Sequence, residues 1–267
     1  MRLFLRALLN LIRHLRFTVA AAVPLFLAYL VMEWSAYHEG LVPDAVLEVF
    51  PLSIVLFTAL LFAFVSMIVA VGAYRTFLSP RPPPIRDAFF GKARVYRSYF
   101  PRTLVVTILA AVPAMGVFLT MEAFFLQRLI TLSGTTPIQG AWIFFLQQQH
   151  LTLVFSTLAI SIGVSLPAIA NGRHVGFWRS IRVGIREVPA VLVAVALLTL
   201  PVCFIYATLG LDAQPLAFEV SVSGPVAIVE TLYVLMEMSI LAEVYRRVRP
   251  SLGEEDPDGP VDPDVFA

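Results

Sequence analysis

The stretch VFPLSIVLFTALLFAFVSMIVAVGA, residues 49–73, runs for 25 positions without a charged side chain. A helix rises about 1.5 Å per residue, so this run is long enough to cross a hydrocarbon core of about 30 Å. Backbone N–H and C=O groups find no water inside a bilayer, and a barrel strand needs only about ten residues, so the run reads as a transmembrane helix. Five further runs carry the same signature, at about 17–34, 104–125, 151–170, 188–209 and 225–242. The expected fold class is all-α: a polytopic membrane bundle of six transmembrane helices, forming a single membrane domain over 1–249. Composition agrees, with 59% hydrophobic and 14% charged residues, against roughly 25% charged in soluble domains.

Charge supplies the topology. Of 19 Lys and Arg residues, 18 fall in the intervals 2–16, 75–102, 173–186 and 246–249, and only Arg128 lies elsewhere. These intervals alternate with pairs of apolar runs, while the opposite loops carry Glu39, Asp44, Glu48, Asp212 and Glu219. The positive-inside rule then places both termini in the cytoplasm. The first forty residues also resemble a signal peptide, but the basic region is long and no clear small-residue cleavage site follows, so the first helix is expected to be retained. Only one Lys, Lys92, accompanies 18 Arg, and with abundant Ala, Val and Pro this suggests a GC-rich bacterial genome and an inner-membrane location. The tail 250–267 is acidic and rich in proline and is expected to be disordered.

Three stretches run a basic amphipathic segment into an odd-numbered apolar run: 4–19, 87–106 and 177–193. At 100° per residue, Arg2, Arg6, Asn10, Arg13 and Arg16 share about a third of the helix circumference, and the remainder is rich in leucine. Arg86, Arg94 and Arg97 group similarly, as do Arg179, Arg182 and Arg186. The expectation is three cytoplasmic interfacial helices, with Arg6, Arg13, Arg94, Arg97, Arg179, Arg182 and Arg186 facing anionic lipid headgroups. Two origins stay open for the pattern: a threefold repeat of interfacial helix plus hairpin, or the basic flanks that any polytopic protein needs.

Ionisable residues within apolar runs cost several kcal/mol unless paired or solvated, so Glu122, Glu230 and Glu237 stand out. A hairpin bent near Thr136 sets Glu122 and His150 at similar depth, beside Gln147, Gln148, Gln149 and Arg128. Glu230 and Glu237 lie seven apart and share a helical face. Glu122, Arg128, His150, Glu230 and Glu237 thus form a candidate intramembrane polar cluster, either a relay or substrate site or a set of ties between helices. A metal site is disfavoured, since one histidine is near and there is no HExxH or cysteine pair. The single cysteine, Cys203, reads as a small apolar residue.

The tail sets Glu254, Asp256, Asp258, Gly259 and Asp262 at calcium-loop spacing, but Val265 stands where a bidentate glutamate is needed. No GxSxG, P-loop or dinucleotide fingerprint occurs, so no catalytic residue and no cofactor is assigned. Nucleic-acid binding is disfavoured because topology already accounts for the basic residues. The expected partners are membrane lipids with anionic headgroups on the cytoplasmic side.

The stretches FWRSIRVGIREVPAVLVAVALL at 177–198 and ILAEVYRRV at 240–248, set in this layout, resemble a group of bacterial six-helix inner-membrane proteins. The layout is similar to the membrane domain that some glycerophosphoryl diester phosphodiesterases carry beside their catalytic domain. No diagnostic catalytic motif accompanies it, so that activity is not carried over, and the resemblance implies a membrane module of unknown role. The expected function is a non-enzymatic envelope or lipid-associated accessory; the alternative is a small transporter or channel-like protein using the intramembrane glutamates.

Overall fold

The computed structural model describes residues 1–39, 50–90, 93–121, 137–173, 175–212 and 223–253. Among the described residues the fold is all-helical. The order is α1 (Arg2–Arg13), α2 (Leu15–Glu39), α3 (Phe50–Leu78), α4 (Ile85–Phe89), α5 (Ala93–Met121), α6 (Pro137–Ile162), α7 (Ser165–Ala170), α8 (Phe177–Gly184), α9 (Val188–Asp212) and α10 (Ser223–Val248). Short 3-10 turns at Ile185–Glu187 and Arg249–Leu252 follow α8 and α10. The six long helices, α2, α3, α5, α6, α9 and α10, each overlap one of the six apolar runs.

Three helical stretches are long and apolar enough to cross a membrane: Leu56–Leu78, Ala93–Thr120 and Phe177–Pro201. A fourth candidate is the broken pair Arg2–Arg13 and Leu15–Val31, bent by 92°. The outer surfaces fit a hydrocarbon solvent. α5 exposes Leu104, Val105, Ile108, Val112, Met115 and Leu119, and α3 exposes Leu56, Phe57, Leu60 and Phe64. Continuous apolar surface of this kind is what water-soluble chains avoid and lipid tolerates.

α10 lies at the centre, in contact with α1, α2, α3, α6, α7, α8 and α9. Its buried residues therefore fall on most of its circumference: Leu235, Met236, Met238, Ile240, Leu241, Val244 and Tyr245. Side-chain pairs fix the helix directions. Phe17 packs on Phe77 with centroids 5.8 Å apart and Tyr29 on Phe62 at 4.6 Å, so α2 and α3 are antiparallel. Ser156 meets Tyr233, and a Cβ at Gly163 would lie 3.4 Å from Leu241, so α6 and α10 run parallel.

The three basic stretches take three different forms. The first turns sharply: α1 stops at His14, and the Thr18 hydroxyl donates to the Leu11 and His14 carbonyls at 3.0 and 3.1 Å, bridging the bend. The second has only the short α4, after which Arg94, Arg97 and Tyr99 lie within the continuous helix α5. The third passes from α8 through one 3-10 turn into α9, and Phe177–Pro201 qualifies as a single long stretch. A right-angled amphipathic helix is thus present once among the described residues. The tail from 254 and its calcium-loop spacing lie outside the described residues.

Small residues such as Gly72 and Gly116 allow close helix approach, and the structure uses Gly72, where a Cβ would lie 3.2 Å from Phe17, and more tightly Gly184. A Cβ on Gly116 would meet nothing within 4 Å, whereas one on Gly184 would lie 1.9 Å from the Ser161 carbonyl oxygen. Gly184→Ala must therefore push α8 off α6 and is expected to destabilise by about 1–3 kcal/mol. Gly116→Ala adds helix propensity at an open position and should be neutral or stabilising by up to about 1 kcal/mol. Thermal melts of the two variants in one detergent check this; equal midpoints would contradict the close contact.

Candidate functional site

Two polar regions stand out against the apolar bundle. The first gathers all four basic intervals at one end. Arg75, buried on α3, donates from Nε to the Ala170 carbonyl at 3.0 Å and from Nη1 to the Asp87 carbonyl at 3.3 Å. Arg246 on α10 donates to the Phe77 carbonyl and pairs with Glu243. Arg179 on α8 donates to the Ser251 carbonyl at 2.9 Å, and Arg102 lies 4.7 Å over the Phe177 ring. Arg247 faces Glu187 at 3.5 Å, and His14 packs on Phe77 at 5.8 Å. Intervals that are distant in sequence are therefore neighbours in space.

The carbonyls involved share a physical property. Phe77 and Ala170 lie at the C-terminal ends of α3 and α7, and Ser251 lies in the closing 3-10 turn. Such ends leave carbonyls without intrahelical partners and carry partial negative charge, so guanidinium donors bond there favourably. These arginines act as ties between elements. By contrast Arg6, Arg13, Arg94, Arg97, Arg182 and Arg186, assigned to headgroups from sequence, are exposed, as is Arg179.

Around α1 the side chains divide into three sectors. Leu3, Ala7, Asn10 and Leu11 are buried against the bundle; Leu5, Leu8, Leu9 and Ile12 are exposed; Arg2, Arg6 and Arg13 form an exposed basic strip beside them, and Arg16, beyond the bend on α2, is also exposed. Asn10, grouped with the arginines by angle, turns inward instead. Its Nδ2 donates to the Ser239 hydroxyl at 3.4 Å, and that hydroxyl donates to the Ala7 carbonyl at 2.8 Å. The asparagine sits at the edge of the basic arc, where a short amide reaches α10 and a long guanidinium would not fit.

The second region is a row of carboxyls and hydroxyls inside the bundle. Glu230 and Glu237 share one face of α10 with Tyr233 between them. Tyr29 on α2 donates to Glu230 at 3.4 Å, and the Ser156 and Tyr233 hydroxyls are 3.1 Å apart. With α6 parallel to α10, the Ser156–Tyr233 pairing sets His150 about level with Ala227, one turn from Glu230. Glu122 and Arg128 lie outside the described residues. Sequence reasoning missed Tyr29, Ser156 and Tyr233, although Tyr233 stands three residues after Glu230 and four before Glu237, which is same-face spacing.

No group of three or more potential metal ligands occurs among the described residues. No protein-family model, curated protein or solved structure matches the chain.

His14 sits at the elbow of α1 and α2, where partial burial, then Arg246 and then Arg13, hold its imidazole below the ordinary histidine value of 6.5. The unfolded chain therefore takes up a proton at a pH where the folded chain does not. Stability is complete above the unfolded value and falls as pH drops through the interval between the unfolded and folded values. Melts at about pH 7 and about pH 5 should show a loss that His14→Gln reduces; an identical pH dependence in the variant would contradict this.

Proposed function

We propose that this chain is a multi-pass protein of a bacterial inner membrane, crossing six times with both termini cytoplasmic, and that it serves as a lipid-associated accessory without catalytic activity. The observation that carries the reading is α1. It packs on the bundle at 92° to α2, as a helix lying along a membrane surface does relative to one that crosses it. Its exposed sector of Leu5, Leu8, Leu9 and Ile12 suits the acyl boundary, and the adjacent strip of Arg2, Arg6 and Arg13 suits phosphate headgroups.

The other parts of the reading are supported more generally. Six helices of 25 to 29 residues have the length to cross. The contiguity of the four basic intervals fits one cytoplasmic face, because guanidiniums stay on the side where they are made. The exposed arginines on α5 and α8 extend the same surface around the bundle.

Each basic residue near an anionic surface contributes about 1 kcal/mol. Replacing Arg2, Arg6 and Arg13 with Gln should therefore weaken the preference for phosphatidylglycerol over phosphatidylcholine by up to about 100-fold. Native mass spectrometry of the detergent-purified protein, exchanged between the two lipids, reads this directly. The melting midpoint should stay near that of the parent, since the three side chains are exposed. An unchanged lipid preference in the triple variant would contradict the reading.

A further inference from the structure

The basic end presents more guanidinium than its neighbouring acids neutralise. On α8 and the 3-10 turn after it, Arg179, Arg182 and Arg186 are all exposed and share about a quarter of the helix circumference. Ser180 and Gly184 mark the side of α8 that is buried against the bundle, so the arginine face looks outward. The nearby carboxylates are already engaged: Glu187 faces Arg247 at 3.5 Å, and Glu243 pairs with Arg246. Among the described residues no acid pairs with Arg182 or Arg186.

The end of the described chain is fastened beside this face. Leu252 is buried, and the Arg179 guanidinium donates from Nη2 to the Ser251 carbonyl at 2.9 Å. Gly253 adopts a left-handed φ of 82°, and a Cβ placed on it would lie 3.3 Å from Arg179 Nη1. Glu254 is the next residue. The segment 254–267, outside the described residues, holds Glu254, Glu255, Asp256, Asp258, Asp262 and Asp264. These are six of the chain's 18 acids, and none of its 19 bases lies there, which leaves 19 bases against 12 acids in 1–253.

Opposite charges are thus tethered one residue from a guanidinium of the face. Tethering removes most of the entropy that a separate acidic peptide would lose on binding and sets a high effective concentration. Reach is no obstacle: at about 3.3 Å per residue even four residues exceed the roughly 10 Å from Arg179 to Arg186. We propose that the acidic segment 254–267 docks on the arginine face of α8 in its own chain and withholds Arg182 and Arg186 from anionic lipid. The docking stands on its own; the withholding rests on the lipid reading given above.

The docking is tested in the full chain by pulsed dipolar spin resonance between nitroxides at Ile185→Cys and Val261→Cys, in a Cys203→Ser background. Vesicles of phosphatidylcholine alone keep anionic lipid out of this measurement. At about 50 mM salt a narrow distance component is expected, and it should be lost at about 500 mM salt, where surface charges are screened. It should also be lost in Arg182→Gln/Arg186→Gln and when Glu254, Glu255, Asp256 and Asp258 are changed to their amides. A parent with only a broad distribution, or a narrow component that persists in both variants, overturns the docking. A narrow component lost on dilution with unlabelled protein places the segment on a second copy and overturns docking within one chain. The withholding is read by native mass spectrometry, where the amide variant should raise the preference for phosphatidylglycerol over phosphatidylcholine several-fold, up to about 30-fold. An unchanged preference overturns it. Failure of the lipid reading itself appears in the α1 arginine variant and leaves the phosphatidylcholine measurement untouched, so the two failures are distinguishable.

Discussion

A guanidinium is too costly to leave in hydrocarbon, and in this protein that constraint organises one whole end of the bundle. Arg75, Arg179 and Arg246 each donate to a backbone carbonyl on another element: Ala170 and Asp87, Ser251, and Phe77 respectively. Each bond meets two needs, giving the cation an acceptor and giving a helix end the donor that its own ladder lacks. Arg247 with Glu187 and Arg102 over Phe177 extend the ties to the rest of that surface. The basic intervals therefore join the helices at that end.

The remaining architecture follows from α10. A central helix in a membrane bundle is screened from lipid, so it can carry side chains that an outer helix cannot. α10 accordingly holds Glu230, Glu237 and Glu243 together with Tyr233 and Ser239. Outer helices such as α5 instead show leucine, valine and isoleucine on their free faces. α1 likewise divides into three sectors: one buried against protein, one exposed and apolar, and one exposed and basic.

Much of this is legible in the residues. Hydropathy alone locates the long helices, because each run must satisfy its backbone internally, and α9 (Val188–Asp212) and α10 (Ser223–Val248) begin within two residues of the expected starts. The fourth run is the least well read. α6 begins at Pro137 because Gln147, Gln148, Gln149 and His150 interrupt hydropathy without interrupting the helix, and the helix breaks at Gly163, inside the expected span. The shared pattern of three basic segments does not foretell their three geometries. A bend depends on local capping by Thr18 and on what Asn10 finds on α10, neither of which is periodic. Within the polar row, same-face spacing predicts the company of Glu230 and Glu237, but Ser156 and Tyr29 come from other helices. Only packing reveals them.

The central claim is that the four basic intervals form one surface on one side of a membrane. Single cysteines introduced as Arg13→Cys, Arg86→Cys and Arg182→Cys, in a Cys203→Ser background, sample three of those intervals at exposed positions. Labelling with a membrane-impermeant maleimide should modify all three in inside-out vesicles and none in right-side-out vesicles. A split result, with any one position labelled from the opposite side, would contradict the account.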